Sequence, residues 1–289
     1  METLWLFTFQ DMFSMVIPQT VFGVSMALSG FATTYHQPHP IEVLRRIPLV
    51  VFWNWTNVLL FDIANQRLAG AVIEDAVNKP WRPLPSKRVS EPQARRLLLL
   101  IVPLVLVTGI TLQCVPETSS VIVLTWMYND LGGADDDYVV KNLLNAFGIS
   151  CYSSASTLIA CGWDRQNIST DTYCWLGMSW GVIFTTVQIQ DLADMAGDAV
   201  RGRRSLPLVY GEKVARLSII LSAMGWSIIC VTFWNVRTLG TIFCMMIAAL
   251  FSLATYFRRG APQDKTNFKL WGLWIISLYL LPILKRIGV

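Results

Sequence analysis

Residues 172–198 read TYCWLGMSWGVIFTTVQIQDLADMAGD. An apolar run long enough to cross the hydrocarbon of a bilayer ends in Asp191, Asp194 and Asp198. On a helix of 3.6 residues per turn, Asp191 and Asp198 project roughly 20° apart and Asp194 roughly 60° from Asp191, so all three share one sector. Gln188 and Gln190 carry the polar face back into the span. Like charges on one helix face repel unless a cation neutralises them, and Mg²⁺ accepts a few carboxylates while keeping waters and substrate oxygens. The stretch therefore predicts a membrane helix whose end holds metal; a solvated helix end is the bland alternative.

Composition supports the membrane reading. The 289 residues are 54% hydrophobic and 15% charged, with mean hydropathy +0.48, which is the balance of a polytopic membrane protein. Apolar stretches recur at 15–35, 45–66, 96–114, 117–130, 139–162, 172–193, 215–235, 238–257 and 270–286. The chain is thus expected to be all-α, a single transmembrane domain over residues 1–289 with about nine spans, the fourth short. Residues 1–14, with Trp5, Phe7, Phe9 and Phe13, lack the basic start of a cleavable signal and read as an interfacial helix. The net charge of +4 comes without a basic run interleaved with aromatics, which argues against nucleic acid. Cys114, Cys151, Cys161, Cys174, Cys230 and Cys244 show no paired spacing and read as packing residues. His36 and His39, in a proline-rich stretch, read as part of a polar turn.

A second acidic cluster ends the second span: Asp62, Asn65, Gln66, Glu74 and Asp75. Asp62, Asn65 and Gln66 share a helix face, whereas Asp75 falls roughly 80° from Asn65, so a break must re-aim the chain; Gly70 is the expected place. Asn65 and Gln66 bonding to neighbouring helices is the structural alternative. Each cluster precedes a basic stretch, Asn78-Lys79-Pro80-Trp81-Arg82-Pro83-Leu84-Pro85 and Arg201-Gly202-Arg203-Arg204-Ser205-Leu206-Pro207. Lys79 and Arg82 on one side, and Arg201, Arg203 and Arg204 on the other, suit a diphosphate held between the clusters; topology signals and lipid contacts are the alternative for such loop cations. A span ending in acids followed by a basic loop occurs twice, which suggests two similar half-bundles facing one cavity. The loop Tyr128–Tyr138, with Asp135, Asp136 and Asp137 and then Lys141 and Asn142, lies on the same side, as a solvated turn or a wall of the site. Even-numbered loops are rich in Lys and Arg, which puts the cavity mouth on the cytosolic face, although Arg45 and Arg46 fall opposite. Tyr128, Tyr138, Tyr152 and Tyr173 are unranked candidates for the cavity wall.

These stretches resemble the UbiA superfamily of intramembrane prenyltransferases. Asp191-Leu192-Ala193-Asp194-Met195-Ala196-Gly197-Asp198 is similar to the family's DxxDxxGD, and Asn78-Lys79-Pro80-Trp81-Arg82-Pro83-Leu84-Pro85-Ser86 to its NKPxRPxPS segment. The first acidic motif departs from the usual NDxxDxxxD: Asn65-Gln66 stands near the Asn-Asp pair, Asp75 matches the last Asp, and the middle Asp has no counterpart. That departure resembles the fungal-type branch that includes UbiA-type terpene cyclases. The resemblance implies Mg²⁺ held by Asn65, Asp75, Asp191, Asp194 and Asp198, with Asp62, Gln66 and Glu74 as further ligands, and Lys79, Arg82, Arg201 and Arg204 on the diphosphate. It implies an enzyme of an internal membrane, such as the endoplasmic reticulum, that ionises farnesyl or geranylgeranyl diphosphate and cyclises the cation to a terpene hydrocarbon. Two alternatives stand beside it: transfer of the prenyl group to an aromatic or quinone-like acceptor, and a cation transporter that uses its acids for an ion.

Overall fold

The computed structural model describes residues 2–34 and 39–289; His36 lies outside them. The chain opens with α1 (Glu2–Asp11), a π turn (Met12–Val16) and α2 (Ile17–Ser29), which run on as one helix. The expected interfacial helix is thus the start of the first span. Phe7 and Thr8 are buried, and Trp55 of the next helix donates its indole N–H to Thr8 Oγ1 at 3.2 Å. Apolar contact on one side and a polar partner on the other draw the segment out of the interface and onto the bundle.

Next come α3 (Pro40–Gln66) and α4 (Ala69–Asn78). His39 caps α3, its ring nitrogen accepting from the Ile41 amide at 3.4 Å, and Pro40 sits where a helix tolerates proline. The break between α3 and α4 falls at Arg67–Leu68, where Leu68 is extended (φ −73°, ψ 137°), and not at Gly70. Gly70 lies inside α4, and a Cβ there would stand 3.3 Å from the Arg201 guanidinium.

A proline-stiffened loop leads to α5 (Glu91–Thr111), opened by a Ser90–Gln93 capping box. Then follow α6 (Val115–Asn129), the one-turn α7 (Gly133–Asp136), α8 (Tyr138–Ala160), α9 (Thr170–Thr186), α10 (Ile189–Arg201), the short α11 (Leu206–Tyr210), α12 (Glu212–Trp234), α13 (Thr238–Phe257), α14 (Ala261–Tyr279) and α15 (Leu281–Ile287). The protein is an all-α membrane bundle. Seven helical segments among the described residues are long and apolar enough to cross a membrane. The other two expected spans fall on α6 and α9, of 15 and 17 residues.

The expected repeat is visible as architecture. α3 breaks and continues as the short α4; α9 breaks at Val187–Gln188 and continues as α10. These short helices, α4 with Glu74 and Asp75 and α10 with Asp191, Asp194 and Asp198, pack on each other, with α10 also against α14. Gly197 makes the contact feasible: a Cβ there would lie 2.2 Å from the Asn78 amide nitrogen. Instead Asn78 donates to Asp194 O at 3.1 Å and accepts from Gly197 N at 3.1 Å. Beside this cap, Arg216 pairs with Glu212 and Asp264, both at 2.7 Å, and donates to Thr255 O, tying α12, α13 and α14 together.

Candidate active site

Below the α4–α10 cap lies a cavity of about 820 Å³. Its polar end carries Asp62 and Asn65 from α3, Glu74 from α4, Lys79 and Arg82 from the loop after it, Lys141 from α8, and Asp191, Asp194, Asp198 and Arg203 from α10 and its exit. Its deeper wall is apolar and aromatic, with Val58, Phe61, Val121, Ile149, Tyr152, Phe268 and Trp271.

All but Asp62 of these acids are paired with a cation. Asp191 pairs with Lys141, both almost wholly buried. Lys79 Nζ reaches Asp194 at 2.6 Å. One Arg82 nitrogen donates to both oxygens of Asp75 at 2.9 Å. Glu74 takes Arg201 and Arg203 at 3.0 Å each, and Arg203 also reaches Asp198 at 3.4 Å. Burial pushes the Asp198 carboxyl above its usual range, and Asp75 likewise in spite of Arg82. Burial acts the same way on Asp194, but the Lys79 ammonium outweighs it and holds that group low.

These pairings keep the carboxylates apart: among the described residues no three acidic, His or Cys side chains stand together as an ion would need. A Mg²⁺ set nonetheless has its donors. One carboxylate oxygen each of Asp62, Asp191 and Asp198 is buried without a hydrogen-bond partner. A buried acceptor left unpaired is costly, and hard oxygen donors of this kind suit a divalent cation.

Of the residues expected from sequence, Asp62, Asn65, Glu74, Lys79, Arg82, Asp191, Asp194 and Asp198 meet at the cavity. Asp75 stands behind Arg82, off the wall. Gln66 turns away and donates to Phe7 O at 2.9 Å, and Asn65 donates to Asn129 Oδ1 at 2.9 Å. Arg201 is buried against Glu74 and Asp135 but is not on the wall; Arg204 is exposed. Arg203, read from sequence only as one of a run, is the member that faces the cavity. Asp135 is part of the closure: it accepts from Arg201 and Arg203 at 2.8 Å each. Tyr128 and Tyr152 line the cavity, whereas Tyr138 meets Tyr210 and Tyr173 is 60% exposed.

Two charged residues of the cavity, Lys141 and Asp11, were only weakly marked in the sequence. Lys141 had a modest signal, its place just after a loop on the side of both clusters, although a lysine near the end of a span ordinarily snorkels to the interface. Asp11, beside Asp62, had little: its segment read as an interfacial helix outside the bundle.

The UbiA prenyltransferase family model matches residues 24–278. The chain belongs to that family. Among its UbiA relatives, the fumagillin beta-trans-bergamotene synthase of Aspergillus fumigatus is 31% identical over 239 residues, covering 81% of this chain and 80% of that protein. A polyprenyl transferase of Hericium erinaceus is 31% identical over 224 residues, covering 75% and 72%. A UbiA homologue from Archaeoglobus fulgidus, solved bound to GPP and Mg²⁺, shares the fold with TM-score 0.67 at 13% identity, over 98% of this chain and 99% of that one. UbiA relatives of both kinds are enzymes, and this chain is one; membership displaces the transporter alternative.

Proposed function

We propose that the chain is a Mg²⁺-dependent terpene cyclase that ionises a linear prenyl diphosphate, farnesyl or geranylgeranyl, and closes the cation to a hydrocarbon. The observation that carries the reading is the cavity's two-ended chemistry, carboxylates and cations at the mouth over an apolar, aromatic chamber. Asp62, Asp191 and Asp198, with unpaired buried oxygens, are the foremost metal holders, joined by Asn65, Glu74, Asp75 and Asp194, with Gln66 the least suited by its orientation. Bound Mg²⁺ would neutralise charge on the diphosphate oxygens. Lys79, Arg82, Lys141 and Arg203 bind and orient the same anion, and Arg201 and Arg204 add positive charge to the cap. Their attraction grows as the C1–O bond breaks and its electron pair leaves with diphosphate, so it lowers the barrier. The allylic cation remains in the chamber, where ring faces such as Phe61, Phe268 and Trp271 attract it and water is excluded. A double bond of the same chain supplies the pair for the new carbon–carbon bond, and transfer of a proton from carbon to the departed diphosphate leaves a neutral cyclic alkene.

The basic loops around the mouth support an orientation with the cavity open to the cytosol from an internal membrane, residues 1–289 serving as one transmembrane unit. Transfer onto an aromatic acceptor is the second reading, favoured by the similarity to the polyprenyl transferase. The test is to incubate the purified chain with farnesyl or geranylgeranyl diphosphate and Mg²⁺, without acceptor, and analyse hydrocarbons by gas chromatography and mass spectrometry. A cyclic terpene that forms with metal and vanishes in Asp191→Ala and Asp198→Ala, both still folded, is expected. Prenyl transfer seen only when an aromatic acceptor is added would overturn the cyclase reading in favour of the second.

A further inference from the structure

The first helix and α3 lie side by side, and two hydrogen bonds fix how they are aligned. Gln66 donates to Phe7 O at 2.9 Å, and Asn54 donates to Thr20 Oγ1 at 3.2 Å. One turn inward from the first of these bonds on each helix, Asp11 comes opposite Asp62, and the two carboxylates meet there. Both line the cavity. Ser14 donates to Asp11 Oδ1 at 2.7 Å and so orients that carboxylate. The π turn that begins at the next residue, Met12, is of a kind frequent at functional sites.

Neither acid has a counter-charge of its own. Among the described residues no Lys or Arg forms an ion pair with Asp11 or Asp62; Arg82 is near both, but its hydrogen bonds go to Asp75. Asp62 is 2% exposed, and its Oδ2 is buried without a partner. Gln10, adjacent to Asp11 and on the same wall, buries its Oε1 in the same condition. The rest of the first cluster offers little at this place: Gln66 points away, Asp75 stands behind Arg82, and Glu74 is taken by Arg201 and Arg203.

Adjoining carboxylates relieve their repulsion by sharing either a proton or a cation. A proton held between Asp11 and Asp62 would bridge one oxygen of each and leave Asp62 Oδ2 and Gln10 Oε1 as orphaned acceptors, which is costly. A divalent cation takes such oxygens, and Mg²⁺ in a phosphate site ordinarily has one or two carboxylates beside its waters and phosphate oxygens. Resting on the reading of the cavity as a prenyl diphosphate site, we propose that Asp11 is a metal ligand of that site, the first helix supplying the carboxylate that joins Asp62 in holding a divalent cation on the α3 side.

The experiment is equilibrium dialysis of Mn²⁺, standing in for Mg²⁺, with inorganic pyrophosphate against the full chain in detergent, with thermal unfolding in chelator as the check on folding. The variants are Asp11→Asn, Asp191→Asn and, as a control for charge on the same helix, Glu2→Gln, whose carboxylate is 72% exposed and paired with Arg88. Disturbing a residue that only supports a metal ligand ordinarily costs about 10–100-fold in affinity, so Asp11→Asn should weaken Mn²⁺ binding at least about tenfold while unfolding in chelator no more readily than the parent. Asparagine keeps the shape and can still donate to Asp62, so a purely structural or proton-sharing role would leave Mn²⁺ binding unmoved. Asp11→Ser carries the same test if the asparagine variant does not fold. Glu2→Gln should bind as the parent does. Parent-like binding in folded Asp11→Asn alongside weakened binding in Asp191→Asn, or an equal loss in Glu2→Gln, would overturn the role of Asp11 and leave the functional reading intact. A parent that binds no Mn²⁺ under these conditions would overturn the metal-dependent reading of the cavity and the role of Asp11 with it.

Discussion

Arg82 serves two masters in this structure, holding Asp75 with one nitrogen while lining the cavity. Both members of the pair are buried, so Arg82→Ala leaves a carboxylate without its counter-charge, a change that ordinarily costs about 3–5 kcal/mol. The expected outcome is a lowered unfolding midpoint in detergent together with lost turnover, and Arg82→Ala with Asp75→Ala should regain part of the stability but not the activity. An Arg82→Ala protein as stable as the parent would show that the pair is not closed in solution. At this scale the sequence was partly legible. Asp191, Asp194 and Asp198 share a sector because their spacing follows the helical period, and they do line one cavity. Gln66 and Arg204 carried the right chemistry, but whether a side chain faces inward depends on what packs behind it. Arg201 and Arg203 differ by two residues, yet only Arg203 reaches the wall.

Among the elements, the short α7 acts as a latch across the cap. Its Asp135 accepts from Arg201 and Arg203, joining the loop after α6 to the end of α10. Burial pushes the Asp135 carboxyl up, but these hydrogen bonds outweigh it and hold the group below its usual value of 3.8. A carboxylate held low stabilises the folded state above that usual value, and the contribution is lost as pH falls further through the folded value. Asp135→Asn is therefore expected to unfold more readily than the parent near neutral pH, the difference closing only as pH falls below the folded value, where the parent's carboxyl is uncharged as well. Equal midpoints at neutral pH would remove the latch. The period of the spans and the proline-stiffened loops were legible at this scale. The break at Arg67–Leu68 was not: glycine marks where a chain is free to turn, whereas this turn is placed by the packing of α4 on α10.

For the whole molecule, the decisive property is that the acidic and basic groups of the two halves neutralise one another across the cavity. A ligand that brings its own charges must exchange these pairs, and binding to the folded state alone then stabilises it. Mg²⁺ with inorganic pyrophosphate at about a hundred times its Kd is expected to add about 2.7 kcal/mol, read as a rise of several degrees in Tm. Removing the metal with a chelator should reverse the rise, and an unchanged Tm would tell against diphosphate at this site. The amino-acid sequence by itself determined the membrane bundle, the two acidic clusters and their basic companions, because hydrophobic length, helical period and charge are local properties. Only the tertiary structure decided that the first helix is part of the bundle, that Lys141 and Asp11 join the cavity, and that Arg203 rather than Arg201 faces it. Those outcomes depend on contacts between residues far apart in the chain, and a buried side chain's orientation is settled by its neighbours rather than by its own segment.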